Sequence, residues 1–266
     1  MDSLIRFISI FYALLIYTTF TNAKHNKFRT PSNTDPRIVG GEETTIDRVP
    51  YLINLRRNGQ FTCGGSLITP YCVLTAAHCV YRATANSLTV AGGASKLTDN
   101  AEMRQVQQTF VSAFYTPSTL DMDVAVLKLM QPLVGTNIAT ISLCSKKPED
   151  GELVQISGWG YTSETNRQPS EQVRTANVRM VSRAECQQAY GGQATLTSSM
   201  FCATIPGQKD SCSGDSGGPV VYRGEVCGIV SWGFGCARPE YPGVYTNVAS
   251  LRVNAYIRGI VMANCL

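Results

Sequence analysis

Ten cysteines, none of them before Cys63, constrain this 266-residue chain more than any other feature. The cytosol keeps thiols reduced, whereas an extracellular compartment lets them pair, so a dense, even set reads as a disulfide framework. Zinc is the competing use of cysteine. No C-x-x-C occurs, and one of the two histidines, His25, lies in the N-terminal segment, so the ligand spacing of a zinc site is missing.

The N-terminus agrees with export. Met1–Arg6 carries one arginine, Phe7–Phe20 is apolar apart from a few hydroxyls, and Thr21-Asn22-Ala23 ends on a small residue. This is the pattern of a secretory signal peptide over residues 1–23. Its apolar run falls short of the roughly 20 residues that span a bilayer, so no membrane attachment is expected after its removal. Residues 24–37, KHNKFRTPSNTDPR, are polar and have no apolar period, which marks an unfolded pro-segment. Five of the 23 Lys/Arg and two of the 19 Asp/Glu fall in residues 1–37, so the body from Ile38 is close to neutral. A near-neutral body without a basic stripe excludes a nucleic-acid binder.

From Ile38 onward, short β-rich runs alternate with Gly, Pro and Asn turns: 51–55, 65–69, 72–76, 87–91, 124–129, 154–157, 173–181, 217–221, 226–232 and 243–247. Many short strands with few helical stretches imply an all-β barrel or sandwich. The spacing of Leu251, Val253, Ile257 and Ile260 predicts one helix from Leu251 to about Met262, with Ser250 as N-cap. A second, shorter helix is expected after Ser182, where Ser182-Arg183-Ala184-Glu185 fits a capping box. The polar, turn-rich segment from Thr140 to Glu152 marks a boundary within the body.

Three stretches carry chemistry together: Leu74-Thr75-Ala76-Ala77-His78-Cys79, Leu120-Asp121-Met122-Asp123-Val124, and Gly214-Asp215-Ser216-Gly217-Gly218-Pro219. A serine hydroxyl is a poor nucleophile at neutral pH and needs an adjacent base, which in turn needs a buried carboxylate to hold its tautomer. His78 is the one imidazole left after residue 37. Ser216 sits among glycines, where the backbone turns sharply and presents N–H groups, and those of Gly214 and Ser216 can face a developing oxyanion. Strand alternation points Asp121 and Asp123 the same way, so both remain carboxylate candidates on pattern alone.

The chain resembles the trypsin-like members of the chymotrypsin family of serine proteases. The resemblance runs from Ile38 to Cys265 through Ile38-Val39-Gly40-Gly41, Cys63-Gly64-Gly65-Ser66-Leu67-Ile68, Ala76-Ala77-His78-Cys79, Asp123-Val124-Ala125-Val126, Gly158-Trp159-Gly160, Gly214–Pro219 and Val230-Ser231-Trp232-Gly233. It implies an all-β fold of two six-stranded antiparallel barrels with a C-terminal helix: a protease domain over 38–266, its first barrel at about 38–140, its second barrel and helix at about 153–266. It also implies His78, Asp123 and Ser216 as the catalytic triad, because the family's carboxylate directly precedes a buried strand, as Asp123 does. Gly214 and Ser216 become the oxyanion hole. Asp210, six residues before Ser216, takes the specificity position, with Ser211, Ser231, Trp232, Gly233 and Gly243 around the substrate. A carboxylate at the base of a slot attracts Arg or Lys.

Activation is implied in the same way. Cutting Arg37-Ile38 frees an amino group that pairs with Asp215, so the protein is expected to be a secreted, monomeric zymogen, activated by another tryptic protease or by itself. Cys63–Cys79, Cys186–Cys202 and Cys212–Cys236 fall on positions the family pairs. The other four, assigned as Cys144–Cys227 and Cys72–Cys265, depart from the usual digestive-trypsin set. The 90–96 loop lacks the acids of the family's calcium site, and Pro242 stands where sodium-activated relatives carry an aromatic, so neither metal nor cofactor is expected. Expected partners are protein or peptide substrates and protease inhibitors. The rival readings are a catalytically weak homologue that acts by binding, against which the full triad argues, and a non-tryptic specificity, against which Asp210 argues.

Overall fold

In a computed structural model of the chain, residues 39–165 and 167–265 are described. The expected signal peptide (1–23), the expected pro-segment (24–37) and the Arg37-Ile38 bond lie outside the described residues. After a two-residue strand β1 (Glu42–Glu43), the first barrel is built from β2 (Leu52–Arg57), β3 (Gln60–Thr69), β4 (Cys72–Thr75), β5 (Leu88–Gly92), β6 (Glu102–Val111) and β7 (Ala125–Leu129). Around the barrel their order is β2-β3-β4-β7-β6-β5, with β5 returning to β2. The short β8 (Ser142–Leu143) precedes the second barrel: β9 (Leu153–Gly158), β10 (Arg174–Val181), β11 (Met200–Thr204), β12 (Pro219–Tyr222), β13 (Glu225–Trp232) and β14 (Gly243–Asn247). That ring runs β9-β10-β11-β14-β13-β12 and closes where β12 meets β9, Val220 opposite Ile156. Among the described residues the α-helices are α1 (Ala77–Val80), α2 (Arg183–Tyr190) and α3 (Leu251–Asn264).

The strands follow their burial pattern. In β10, Ala176, Val178 and Met180 enter the core while Asn177 and Arg179 face solvent, the alternation of a strand with one wet face. β4 and most of β7 are buried throughout and read as continuous apolar runs. Two barrel strands escape the sequence pattern. β6 buries only Val106 of its ten residues, so its place rests on backbone pairing with β5 and β7. β11, Met-Phe-Cys-Ala-Thr, is buried at every position and has no alternation to detect. The terminal strand β1 and the short β8 are likewise absent from the sequence pattern. The two expected helices form at their expected caps, with the Ser182/Glu185 capping box closed in both directions and Ser250 accepting from the Val253 N–H.

The ends of the body cross over. β1 pairs with β10, placing residues near the start on the second barrel. The helix α3, grouped by sequence with the second barrel, packs on the first. Val253 and Ile257, four apart on one helix face, are fully buried in the same apolar cluster as Leu67, Val73 and Leu127. Tyr256 Oη donates to Phe110 O at 2.6 Å, and Cys265 is bonded to Cys72. An apolar helix stripe needs an apolar surface to cover it, and burying a Val or Ile side chain is worth about 1.5–3 kcal/mol. The other disulfides are Cys63–Cys79, Cys144–Cys227, Cys186–Cys202 and Cys212–Cys236, and no cysteine is free.

Candidate active site

Asp123 sits at the foot of β7 and is completely buried. Its Oδ1 accepts the His78 backbone N–H at 2.9 Å, and its Oδ2 lies 2.8 Å from His78 Nδ1. Ser231 Oγ donates to Oδ2 at 2.6 Å, and Thr246 Oγ1 donates to the Asp123 carbonyl at 2.9 Å. A carboxylate facing Nδ1 can only accept there, so Nδ1 carries the proton and Nε2 keeps its lone pair. The same carboxylate thus grips both backbone and ring of His78, which α1 presents half-buried toward solvent. The Cys63–Cys79 bridge holds α1 against β3. Cys63, His78 and Cys79 cluster closely enough for a metal, but both sulfurs are consumed in that bridge, so the trio offers one imidazole and no thiolate.

Ser216 is fixed from both barrels. Its carbonyl accepts the Gly64 N–H at 2.8 Å, and the Gly217 N–H is bonded to Val230 O at 2.8 Å, one residue before Ser231. Gly217, at φ +78°, lies where a Cβ would come within 2.6 Å of Gly64 O and 3.2 Å of Ala76 N. Only glycine lets the serine turn press against the end of β4, the strand that leads into His78. Within the turn, Asp215 N–H donates to Cys212 O and Gly218 N–H to Asp215 O, while the N–H groups of Gly214 and Ser216 have no acceptor among the described residues.

The side chain of Asp215 points away from this turn into the second barrel. It is buried, with Oδ1 accepting from Gly160 N at 2.8 Å and Oδ2 from Cys212 N at 3.0 Å. Burial pushes its pKa up to about 6, against the pull of those two N–H bonds. No cation pairs with it among the described residues. Its expected partner, Ile38, and the bond to be cut at Arg37 lie outside them.

A cavity of about 590 Å³ opens beside Ser216, lined by Ser211, Ser213, Val230, Ser231, Trp232, Gly233 and Gly243 among others, with Asp210 in its wall. Asp210 is 2% exposed. Its oxygens accept from Ser211 N at 2.8 Å, Ala237 N at 3.0 Å and Tyr245 Oη at 3.3 Å. Burial raises its pKa to about 7; the Ala237, Ser211 and Tyr245 bonds oppose the rise and the Asp215 charge adds to it. Gly243 lies where a Cβ would be 2.5 Å from Asp210 Oδ1, whereas Gly233 has nothing closer than 3.6 Å, so a side chain there would take cavity space. The Ser211 hydroxyl reaches Tyr245 Oη at 3.2 Å. Trp232 stands edge-on to Tyr190, their rings 5.0 Å apart.

Two features escape the sequence. Glu164 clamps the cavity mouth: its Oε1 accepts from Cys236 N at 2.6 Å and Arg238 Nε at 2.8 Å, its Oε2 from Arg238 Nη2 at 2.9 Å. The Arg238 hydrogen bond, then that of the Cys236 N–H, hold its carboxyl below the usual range. Asp121, the second carboxylate candidate, turns from His78 to Thr197 and Ser199.

Residues 38–255 match the family model described as Trypsin. The chain is 43% identical over 239 residues to Seminase of Drosophila melanogaster, covering 89% of this chain and 87% of that protein. It is 41% identical to Trypsin beta and 40% identical to Trypsin alpha of Drosophila erecta, each over 220 residues and 82% of this chain, covering 87% and 86% of theirs.

Proposed function

The chain belongs to the trypsin family and is a trypsin-like serine endopeptidase, and from that premise we propose that it is a secreted zymogen, cut at Arg37-Ile38, that cleaves after Arg or Lys. The observation that carries the specificity is the nearly inaccessible Asp210 carboxylate in a cavity shared with Ser216. A guanidinium or ammonium entering that cavity meets a charge that no cation among the described residues already neutralises. Both side chains lose water on entry, and charge-assisted hydrogen bonds replace it.

The reaction is the one general to this triad. Ser216 Oγ attacks the carbonyl carbon of the residue held by Asp210 and passes its proton to His78 Nε2. The His78 Nδ1–H stays on Asp123, whose negative charge stabilises the imidazolium. The new oxyanion sits toward the free N–H groups of Gly214 and Ser216, donors that need no reorganisation as charge develops. His78 then protonates the departing amine, leaving an acyl-Ser216. Water attacks this ester, its proton going to His78; the bond to Ser216 Oγ then breaks, His78 returns that proton to Oγ, and the acid product leaves.

Protein cut at Arg37-Ile38 and offered a mixed peptide library tests the proposal. Cleavage confined to bonds after Arg and Lys, and absent in Ser216→Ala, is the expected result. Cleavage after Phe or Leu at comparable rates would overturn the specificity.

A further inference from the structure

The residues that lead into Asp123 adopt an unusual backbone. Leu120 (φ +56°) and Met122 (φ +53°) both occupy the left-handed region that bulky side chains avoid, and Met122 is the immediate neighbour of Asp123. Such geometry persists only where surrounding contacts over-determine it, and it gathers at functional sites. Between the two lies Asp121. Its Oδ1 accepts the hydroxyls of Thr197 and Ser199, both at 2.5 Å, and its Oδ2 lies 3.3 Å from Arg252 Nη1. Ser199 Oγ also accepts the Met122 N–H at 3.2 Å, so one buried hydroxyl holds both the Asp121 side chain and the backbone of the strained residue beside it. Thr197 and Ser199 precede β11 of the second barrel, and Arg252 opens α3.

The anchor and the catalytic carboxylate share a frame. Asn247 N–H donates to Ser199 O at 2.7 Å, and the preceding residue, Thr246, donates to the Asp123 carbonyl. Asp121 and Asp123 are therefore pinned, two residues apart, to the end of β14 and the segment it pairs with.

We propose that Asp121 is a positioning residue: its carboxylate, seated on the Thr197 and Ser199 hydroxyls, holds the 120–122 turn in its strained form and so aims Asp123 at His78. This rests on Asp123 as the triad carboxylate. Without the seat, the turn relaxes toward ordinary backbone angles and the Met122-Asp123 peptide rotates. Asp123 keeps its Ser231 and Thr246 bonds, so its displacement is partial, and misplacement approaching 1 Å costs about 100-fold in rate. None of residues 120–122 lines the Asp210 cavity, so KM is expected to change little.

The test compares kcat and KM for one Arg peptide on protein cut at Arg37-Ile38, with active sites counted by titration. Asp121→Ala is expected to lower kcat by about 10- to 100-fold and to leave KM within about 2-fold. Asp121→Asn keeps an oxygen for both hydroxyls and should recover to within about 3-fold of wild type. Ser199→Ala removes the seat from the opposite side and should reproduce the kcat loss, which keeps the test decisive if Asp121→Ala does not fold. An unchanged kcat in Ser199→Ala, or an Asn variant as slow as the Ala variant, overturns the proposal. Asp123→Asn runs in parallel: if it retains most of the activity, the triad reading falls, and that failure is distinct from this one.

Discussion

Replacing Asp210 by serine tests the specificity reading most severely. The carboxylate already accepts three hydrogen bonds from the protein itself, from Ser211 N, Ala237 N and Tyr245 Oη. Its remaining lone pairs are the ones a guanidinium can use. At 2% exposure, the carboxylate meets little water besides what the cavity holds. Removing one member of a buried charge pair costs about 2–5 kcal/mol, or about 30- to 4,000-fold in kcat/KM at 1.4 kcal/mol per decade. The expected loss for Arg peptides falls within that range. Phe peptides never use the charge and should change by less than about 3-fold. Serine also strands the Ala237 and Ser211 N–H groups, so wall disorder could imitate a loss of charge. Asp210→Asn separates the two, since its amide keeps an acceptor for the wall while lacking the charge. The assay is kcat/KM for matched Arg, Lys and Phe peptides at pH 8. An Arg-to-Phe ratio that stays at the wild-type value in both variants refutes the reasoning and leaves the serine-protease assignment standing.

Ser216→Ala should abolish peptide hydrolysis with the fold intact, a loss on the order of a million-fold, and a purified variant retaining a tenth of the wild-type rate would remove Ser216 as nucleophile. Uncut protein should be nearly inactive and Arg37→Gln should resist activation by added trypsin; full activity with Ile38 shown by N-terminal sequencing to be internal contradicts the zymogen reading. Asp210 also sets a stability slope: a pKa raised to about 7 means that the folded state holds the proton more tightly than the unfolded chain does, so this stability is complete below about pH 4 and is lost as pH rises to about 7. The full shift corresponds to about 4 kcal/mol, an upper bound. In a Ser216→Ala background that prevents self-digestion, the Tm difference between Asp210→Asn and its parent should therefore grow between pH 4 and pH 8, and a flat difference by calorimetry argues against the shift.

What could be read from the sequence depended on whether a residue's task is local. Gly217 and Gly214 stand in a short stretch where the backbone itself demands glycine, so the turn around Ser216 is legible without neighbours. The helix caps Ser182 and Ser250 are equally local. The carboxylate choice was not: alternation treats Asp121 and Asp123 alike, and it took the family resemblance to prefer Asp123. In the fold, Asp121 swings onto Thr197 and Ser199, residues more than seventy positions away in a barrel the pattern could not register against it. Glu164 and Arg238 fail to announce themselves for the same reason. They are ordinary loop charges 74 residues apart, and their pairing exists only once the cavity wall is folded. The strand β6 hid behind a polar sequence, because a barrel strand can be held by backbone bonds on both sides with almost no buried side chains.

The two buried carboxylates also explain how one cut could switch both halves of the site. The Ser211 N–H donates to Asp210 and the next N–H, that of Cys212, donates to Asp215. Consecutive amides therefore hold the two carboxylates to which specificity and activation are proposed to belong. The turn that presents the Gly214 and Ser216 N–H groups begins at the same place, with Asp215 N–H bonded back to Cys212 O. A buried carboxylate without a cation favours its protonated form, as the rise of Asp215 to about 6 expresses, and a protonated carboxyl accepts its two N–H bonds less strongly. In the proposed activation, the new ammonium at Ile38 supplies the missing cation, pairs with the Asp215 carboxylate and holds it on the Cys212 and Gly160 N–H groups together. Peptide 211–212 then locks, and with it the Asp210 wall on one side and the oxyanion turn on the other. Arg or Lys binding and oxyanion stabilisation should accordingly appear together on activation, in a constant ratio at every stage of partial cleavage.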